Sequence, residues 1–230
     1  MNNLVPKESR LEIKFITHEM NYPLVVNWIK LNKENFKKRY SDRIVNNIYF
    51  DSFDYEAFKD NIYGSSSRLK IRYRWYSHFK DQKSGNLEFK FKRNIFGWKK
   101  RYKIPSLKIE SKLKLNHLKK VLKKNLLGYD QLIFESNCEP KIINQYKREY
   151  YENYNQKFRI TIDTSHNIYD QRFKKKVNLT NKTLIQKYIV VEFKFHRNNI
   201  DLSKSMLKSL PFRISRNSKY INSIRSVSGI

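Results

Sequence analysis

Glycine is scarce in this chain, with five in 230 residues. None of them opens a G-x-G-x-x-G or G-K-[ST] loop, so no glycine-rich turn is available to cradle phosphate on backbone N–H groups. The single cysteine, Cys138, excludes an intramolecular disulfide and a cysteine-based zinc site. There is no H-E-x-x-H, no G-x-S-x-G and no Cys/His pair, which leaves zinc chemistry and nucleophilic catalysis without support. No stretch approaches the ~20 apolar residues of a membrane span, and Met1 to Phe15 holds no apolar run of signal-peptide length. The expected location is therefore the cytoplasm. Acidic residues are also few, 21 Asp and Glu against 49 Lys and Arg, for a net charge of +28.

A chain this basic binds polyanions: nucleic acid, polyphosphate or an anionic membrane surface. Lys, Asn and Ile are all abundant, as codon bias in an AT-rich genome would produce, so the placement of Arg says more than the number of Lys. Hydrophobic residues make up 39% and aromatics 15%, with Tyr and Phe supplying most of the large apolar surface of a folded chain. The length fits one domain spanning residues 1–230.

The dominant pattern has period two. Leu11, Ile13 and Phe15 alternate with Arg10, Glu12 and Lys14; Leu69, Ile71, Tyr73 and Trp75 alternate with Arg68, Lys70, Arg72 and Arg74. The same alternation runs through 87–92, 158–163 and 191–196. Each segment reads as a strand with one apolar and one polar face. Further strands are expected at Val45–Asp51, Trp98–Ile104 and Tyr146–Tyr151, with a weaker one near Phe173–Leu179. Helical spacing predicts helices over Tyr22–Leu31, Asp54–Tyr63, Leu107–Leu127 and Asp201–Leu210. The expected fold is α+β: about eight antiparallel strands closed into a barrel that forms a tunnel, with helices packed outside. Closure would bring the charged faces of the strands around one channel, and a channel so positive is stable only with water and a bound anion inside it.

The chemistry-bearing residues follow that alternation. Arg72-x-Arg74 puts two guanidinium groups side by side, and Glu-x-Lys recurs as Glu12-x-Lys14, Glu88-x-Lys90 and Glu192-x-Lys194. Arg159 and Asp163 share a polar face, and Arg148 lies on another strand. Arg matches phosphate through its planar fork, whereas Glu repels phosphate unless Mg²⁺ or Mn²⁺ sits between them. One Glu-x-Lys alone is ordinarily a solvated face with cross-strand ion pairs. Three of them, together with Arg-x-Arg, suit a metal-triphosphate site.

The order of these motifs resembles the VTC domain, the polyphosphate polymerase domain of the vacuolar transporter chaperone complex. That domain belongs to the triphosphate tunnel metalloenzymes, with the CYTH adenylate cyclases and thiamine triphosphatases. The resemblance runs from Glu12 to about Ile221 through Glu12-Ile13-Lys14-Phe15, Ile48-Tyr49-Phe50-Asp51, Arg72-Tyr73-Arg74-Trp75-Tyr76, Leu87-Glu88-Phe89-Lys90, Tyr146-Lys147-Arg148, Arg159-Ile160-Thr161-Ile162-Asp163-Thr164, Val191-Glu192-Phe193-Lys194 and Ser218-Lys219-Tyr220. It implies that Lys14, Arg72, Arg74, Lys90, Arg148, Arg159, Lys194 and Lys219 hold phosphates, with Lys14, Arg72, Arg74, Lys90, Arg159 and Lys219 serving the reaction. It implies Glu192 as the principal ligand of Mn²⁺ or Mg²⁺, with Glu12 and Glu88 beside it. The implied reaction moves the γ-phosphate of ATP onto a polyphosphate chain. Triphosphate hydrolysis on the same site, a polyphosphate-binding module without turnover, and a nucleic-acid-binding protein are the alternatives.

Two departures stand out. The CYTH enzymes begin Glu-x-Glu-x-Lys, and here the first of those positions is Arg10. The eukaryotic complex carries an SPX domain and membrane helices that this sequence lacks, so the expectation is a stand-alone domain whose membrane attachment, if any, falls to a separate partner.

Overall fold

The computed structural model describes residues 10–82 and 84–229, without the side chains of Arg10, Arg197 and Ser205. Nine strands form one antiparallel sheet: β1 (Arg10–His18), β2 (Lys37–Asp51), β3 (Ser67–Tyr76), β4 (Ser84–Arg93), β5 (Phe96–Pro105), β6 (Glu139–Glu152), β7 (Phe158–Asp170), β8 (Lys182–Thr183) and β9 (Tyr188–His196). Six α-helices accompany it: α1 (Tyr22–Leu31), α2 (Glu56–Ile62), α3 (Leu115–Lys124), α4 (Gly128–Ser136), α5 (Ile200–Leu207) and α6 (Lys219–Ser228).

The strand order is β6-β2-β3-β4-β5-β1-β9-β7-β8, and β6 also pairs with β7. The ladders are long on both sides of β6, reaching Lys37↔Glu152 on β2 and Glu152↔Arg159 on β7. Between β1 and β5 the register among the described residues is the pair Arg10↔Gly97. Of the expected barrel, the described residues show a nine-stranded antiparallel sheet whose order returns on itself where β6 pairs with β7.

The apolar faces fill as the alternation dictates. Ile71, Tyr73, Trp75, Leu87, Phe89 and Ile104 are sealed by Leu115, Leu118 and Leu122 of α3 and by Phe134 of α4. Phe15, Ile160, Val191 and Phe193 pack under Val25 and Ile29 of α1 and Met206 of α5. Burying one such side chain contributes roughly 1.5–3 kcal/mol. The ring of Tyr73 lies over Gly85, where an added Cβ would come within 2.4 Å of it, so this strand position tolerates no side chain.

Several elements differ from the expectation. β2 starts at Lys37, not Val45, because its first half carries register shifts and stays exposed, which hides the alternation. The helix expected over Leu107–Leu127 is shorter, and α4 follows it, beginning at Gly128, whose φ is +54°. The segment Phe173–Leu179 is not a strand: Phe173 has φ +58°, incompatible with extended backbone, and only the isolated bridge Lys114↔Lys176 remains. The helix α6 was not expected at all. Ser218 caps it by accepting a hydrogen bond from the Ile221 N–H, and Gly229 (φ +69°) ends it.

Candidate functional site

Directly opposed residues of an antiparallel ladder point to the same side. The register therefore decides which polar groups share a face. Tyr49 opposes Arg72, Arg72 opposes Glu88, and Glu88 opposes Arg101. Lys70 opposes Lys90, and Asn47 opposes Arg74. Between β1 and β9, Lys14 opposes Glu192 and Glu12 opposes Lys194; on β7, Arg159 also opposes Lys194, and Asp163 opposes Arg148 of β6. All the strand residues named as phosphate or metal groups lie on one side of the sheet, opposite the apolar cores.

α6 lies on that same side. Tyr220 stacks on Tyr49 with ring centroids 5.4 Å apart, and Tyr220, Ile221 and Ile224 pack with Ile142 and Ile168. The helix start thus brings Lys219 into the charged face, its Nζ 2.5 Å from Asp163 and 4.8 Å over the Tyr146 ring.

The charges fall into three groups. Arg72 donates two hydrogen bonds to Glu88, from Nε at 2.8 Å and Nη2 at 2.6 Å, and Lys99 and Arg101 each lie 3.4 Å from the same carboxylate. Burial alone would raise Glu88, but Arg72, Arg74 and Lys99 hold it well below the usual carboxylate range. Arg148 grips Asp163 with Nε at 2.5 Å and Nη2 at 2.7 Å. That carboxylate is fully buried and, despite its burial, is held low by Arg148 and Lys219. In the third group Glu192 lies 3.3 Å from Lys194, 3.7 Å from Lys14 and 3.8 Å from Arg148, while Glu12 lies 2.9 Å from Lys90 and 3.7 Å from Lys14. Burial and Glu192 push Glu12 up, yet Lys90, Lys194 and Lys14 outweigh them and bring it to about 2.

Cations exceed these carboxylates. Lys70 has Ser218 Oγ as its hydrogen-bond acceptor at 2.8 Å; burial first, then Lys14, Lys90, Arg68 and Lys92, push it well below the ordinary lysine value. The segment before α6 runs beside it, with Ser215 N–H donating to Lys14 O at 2.9 Å and Lys14 Nζ to Asn217 O at 3.4 Å. Here the buried Arg68 Nε, Asn217 Nδ2 and Ser215 Oγ have no hydrogen-bond partner among the described residues. Orphaned buried donors beside these cations make an environment that an oxyanion satisfies.

Arg159 joins this face less closely. Its Nε donates to Glu152 at 2.7 Å, and its side chain is 40% exposed. Lys99 and Arg101 point inward, whereas Lys100 turns outward to Asp130 at 3.0 Å. The sequence reading did not single out Lys70, Asn47, Tyr146 or Thr161. Period two places Lys70 with Arg72, but the others lack a charge to mark them.

The donor set fits a hard divalent cation. Glu12 and Glu192 both reach the Lys14 ammonium, and Thr161, opposite Glu192 and 1% exposed, has an orphaned Oγ1. Two carboxylates and a hydroxyl suit Mg²⁺ or Mn²⁺ shared with phosphate oxygens. Glu88 fits less well, since Arg72, Lys99 and Arg101 already surround it. Among the described residues no group of three or more His, Cys, Asp or Glu gathers at one point.

The sequence model of the VTC domain matches residues 9–228. The chain belongs to the VTC domain family. Among curated proteins none matches. Of solved structures, a Vibrio parahaemolyticus protein proposed to be an adenylate cyclase is similar at 12% identity, covering 95% of this chain and 99% of that one, with a TM-score of 0.52. A Pyrococcus horikoshii OT3 protein matches at 13% identity over 95% and 98% of the two chains, with a TM-score of 0.49. The first likeness extends to the fold, which this chain shares with that protein. No described helix is long and apolar enough to cross a membrane.

Proposed function

We propose that this VTC domain is a metal-dependent polyphosphate polymerase: it binds ATP and polyphosphate along the enclosed charged face, as a tunnel, and transfers the γ-phosphate to the growing chain. What carries the reading is the excess of cations over carboxylates on one face of the sheet, together with the unpartnered buried donors beside Lys14 and Lys70. An exposed basic surface would satisfy those donors with water.

Phosphoryl transfer needs little covalent help from a protein; it needs in-line positioning and cations on the equatorial oxygens. Arg72 and Arg74 supply adjacent forks, each anchored, Arg72 on Glu88 and Arg74 on Asn47 Oδ1 at 2.7 Å. Lys14, Lys90, Lys194, Arg148 and Lys219 supply charge from four other strands and from the start of α6, and Arg159 sits at the margin. Bound phosphate takes these cations over from their carboxylates, releasing Glu12 and Glu192. When bound there, Mn²⁺ or Mg²⁺ screens the charge between those carboxylates and the phosphates. Removing one cation aimed at the transferring group costs a few kcal/mol of transition-state stabilisation.

Hydrolysis differs only in the acceptor, water in place of polyphosphate. Incubating the protein with ATP and Mn²⁺ and resolving the product on a polyphosphate ladder separates the two. Long chains with released ADP support the polymerase, free phosphate alone supports the hydrolase, and no turnover of ATP or tripolyphosphate removes both.

A further inference from the structure

Outside the charged face, the connection after β7 has an unusual make-up. Residues 171–187 hold no Asp or Glu and six Lys or Arg. At its tip Phe173 is 93% exposed, with φ +58°, a backbone region that L residues with large side chains rarely adopt. The loop is not slack. Arg172 is locked onto Asp170 and donates to Val227 O at 2.8 Å and Ser228 Oγ at 2.6 Å. On the other side Val177 is buried, its N–H donating to Leu113 O at 3.0 Å, and Leu115 N–H donates to Lys175 O at 3.0 Å. A fixed frame therefore holds the aromatic ring out in water.

Its surroundings are cationic. Lys174, Lys175 and Lys176 follow it, all exposed, and the bridge Lys114↔Lys176 places exposed Lys112 and Lys114 alongside. A second exposed ring, Phe53, lies on the adjoining turn: Lys141 Nζ donates to Phe53 O at 3.2 Å, while Lys141 O accepts from Gln171 N–H at 3.0 Å. Of the nearby carboxylates, Asp170 is neutralised by Arg172; Asp54 and Glu110 lie on neighbouring turns. We propose that this surface docks on an anionic lipid headgroup layer, with Phe173 and Phe53 entering the layer and the lysines against its phosphates. Exposed aromatic tips ringed by Lys suit that interface. Single-stranded nucleic acid, by contrast, asks for stacking platforms along a groove, and neither ring has an aromatic neighbour in contact among the described residues.

The test reads which face docks, because a chain of net charge +28 is drawn to anionic vesicles by any side. The full chain carrying Phe173→Trp is mixed with phosphatidylcholine vesicles, with and without phosphatidylserine, containing brominated lipid. Quenching of the added tryptophan in the anionic vesicles alone is expected. Replacing Lys174, Lys175 and Lys176 by Ala should weaken partitioning on the order of a hundredfold, at roughly fivefold for each charge. The equally exposed Lys30, Lys37 and Lys157, replaced together, should cost far less. Tripolyphosphate binding should be unchanged in both. An unquenched tryptophan on bound protein, or equal losses from the two triple variants, overturns the proposal. So does loss of RNA binding by the first variant with vesicle partitioning intact.

Discussion

Asp163 offers a sharp test of how the charged face is held together. The side chain is fully buried and grips two cations, Arg148 through a bidentate pair at 2.5 and 2.7 Å and Lys219 at 2.5 Å. Asp163→Asn keeps the shape but removes the charge, leaving two buried cations without their counter-ion. Breaking a buried pair in this way costs about 3–5 kcal/mol, which in a domain of this size lowers Tm by about 10 °C. Tripolyphosphate should restore much of it, since a ligand at a hundred times its Kd adds about 2.7 kcal/mol and the freed cations face it. Thermal unfolding with and without tripolyphosphate reads both effects. Asp163→Asn melting like the parent chain, or a deficit that tripolyphosphate leaves untouched, would refute the reasoning.

Two pH effects follow from neighbouring groups. Burial, helped by Arg101 and Arg72 against the pull of Glu88, brings Lys99 down to about 8; a polyanion restores its charge, so tripolyphosphate binding at pH 8.5 should take up protons and binding at pH 6.5 should not. Calorimetry in two buffers of different ionisation enthalpy measures this, and proton release at pH 8.5 would contradict it. Burial, then Lys219, lowers His166 to about 4 despite Asp163. The unfolded chain therefore binds a proton between pH 6.5 and 4 that the folded chain refuses, and stability should fall as pH drops through that window, by up to about 3 kcal/mol. His166→Phe, which keeps a ring against Tyr188, should flatten that part of the pH–stability curve measured by urea unfolding.

Much of the sheet was legible in the sequence because period-two alternation is a direct image of a strand with one buried face. It placed β1, β3, β4, β7 and β9, and with them the shared face of Arg72, Glu88, Lys90 and Glu192. Where alternation was lost, so was the reading. The early half of β2 is bulged and wet, and Phe173 looks apolar in sequence yet stands in solvent. α6 escaped because Lys219–Ser228 is short and mixes Ser and Asn into its apolar stripe, although its Ser218 cap and Gly229 stop were there to be read. That helix mattered most for the candidate site: the motif at Ser218 and Lys219 named residues of the charged face without revealing the helix that aims them. The carboxylates' attachments were equally hidden. The Glu-x-Lys pattern marks Glu88 and Glu192 alike, and the fold surrounds the former with Arg72, Lys99 and Arg101.

The central claim is that cations from separate strands and the start of α6 act together on one oligophosphate. Calorimetric titration of tripolyphosphate in the presence of Mn²⁺ tests it most directly. The account predicts one site per chain, lost when Arg72 and Arg74 are both replaced by Ala, with the gain contributed by Mn²⁺ disappearing in Glu192→Gln. Binding that survives the double replacement undiminished, or many weak sites that salt abolishes together, would contradict it.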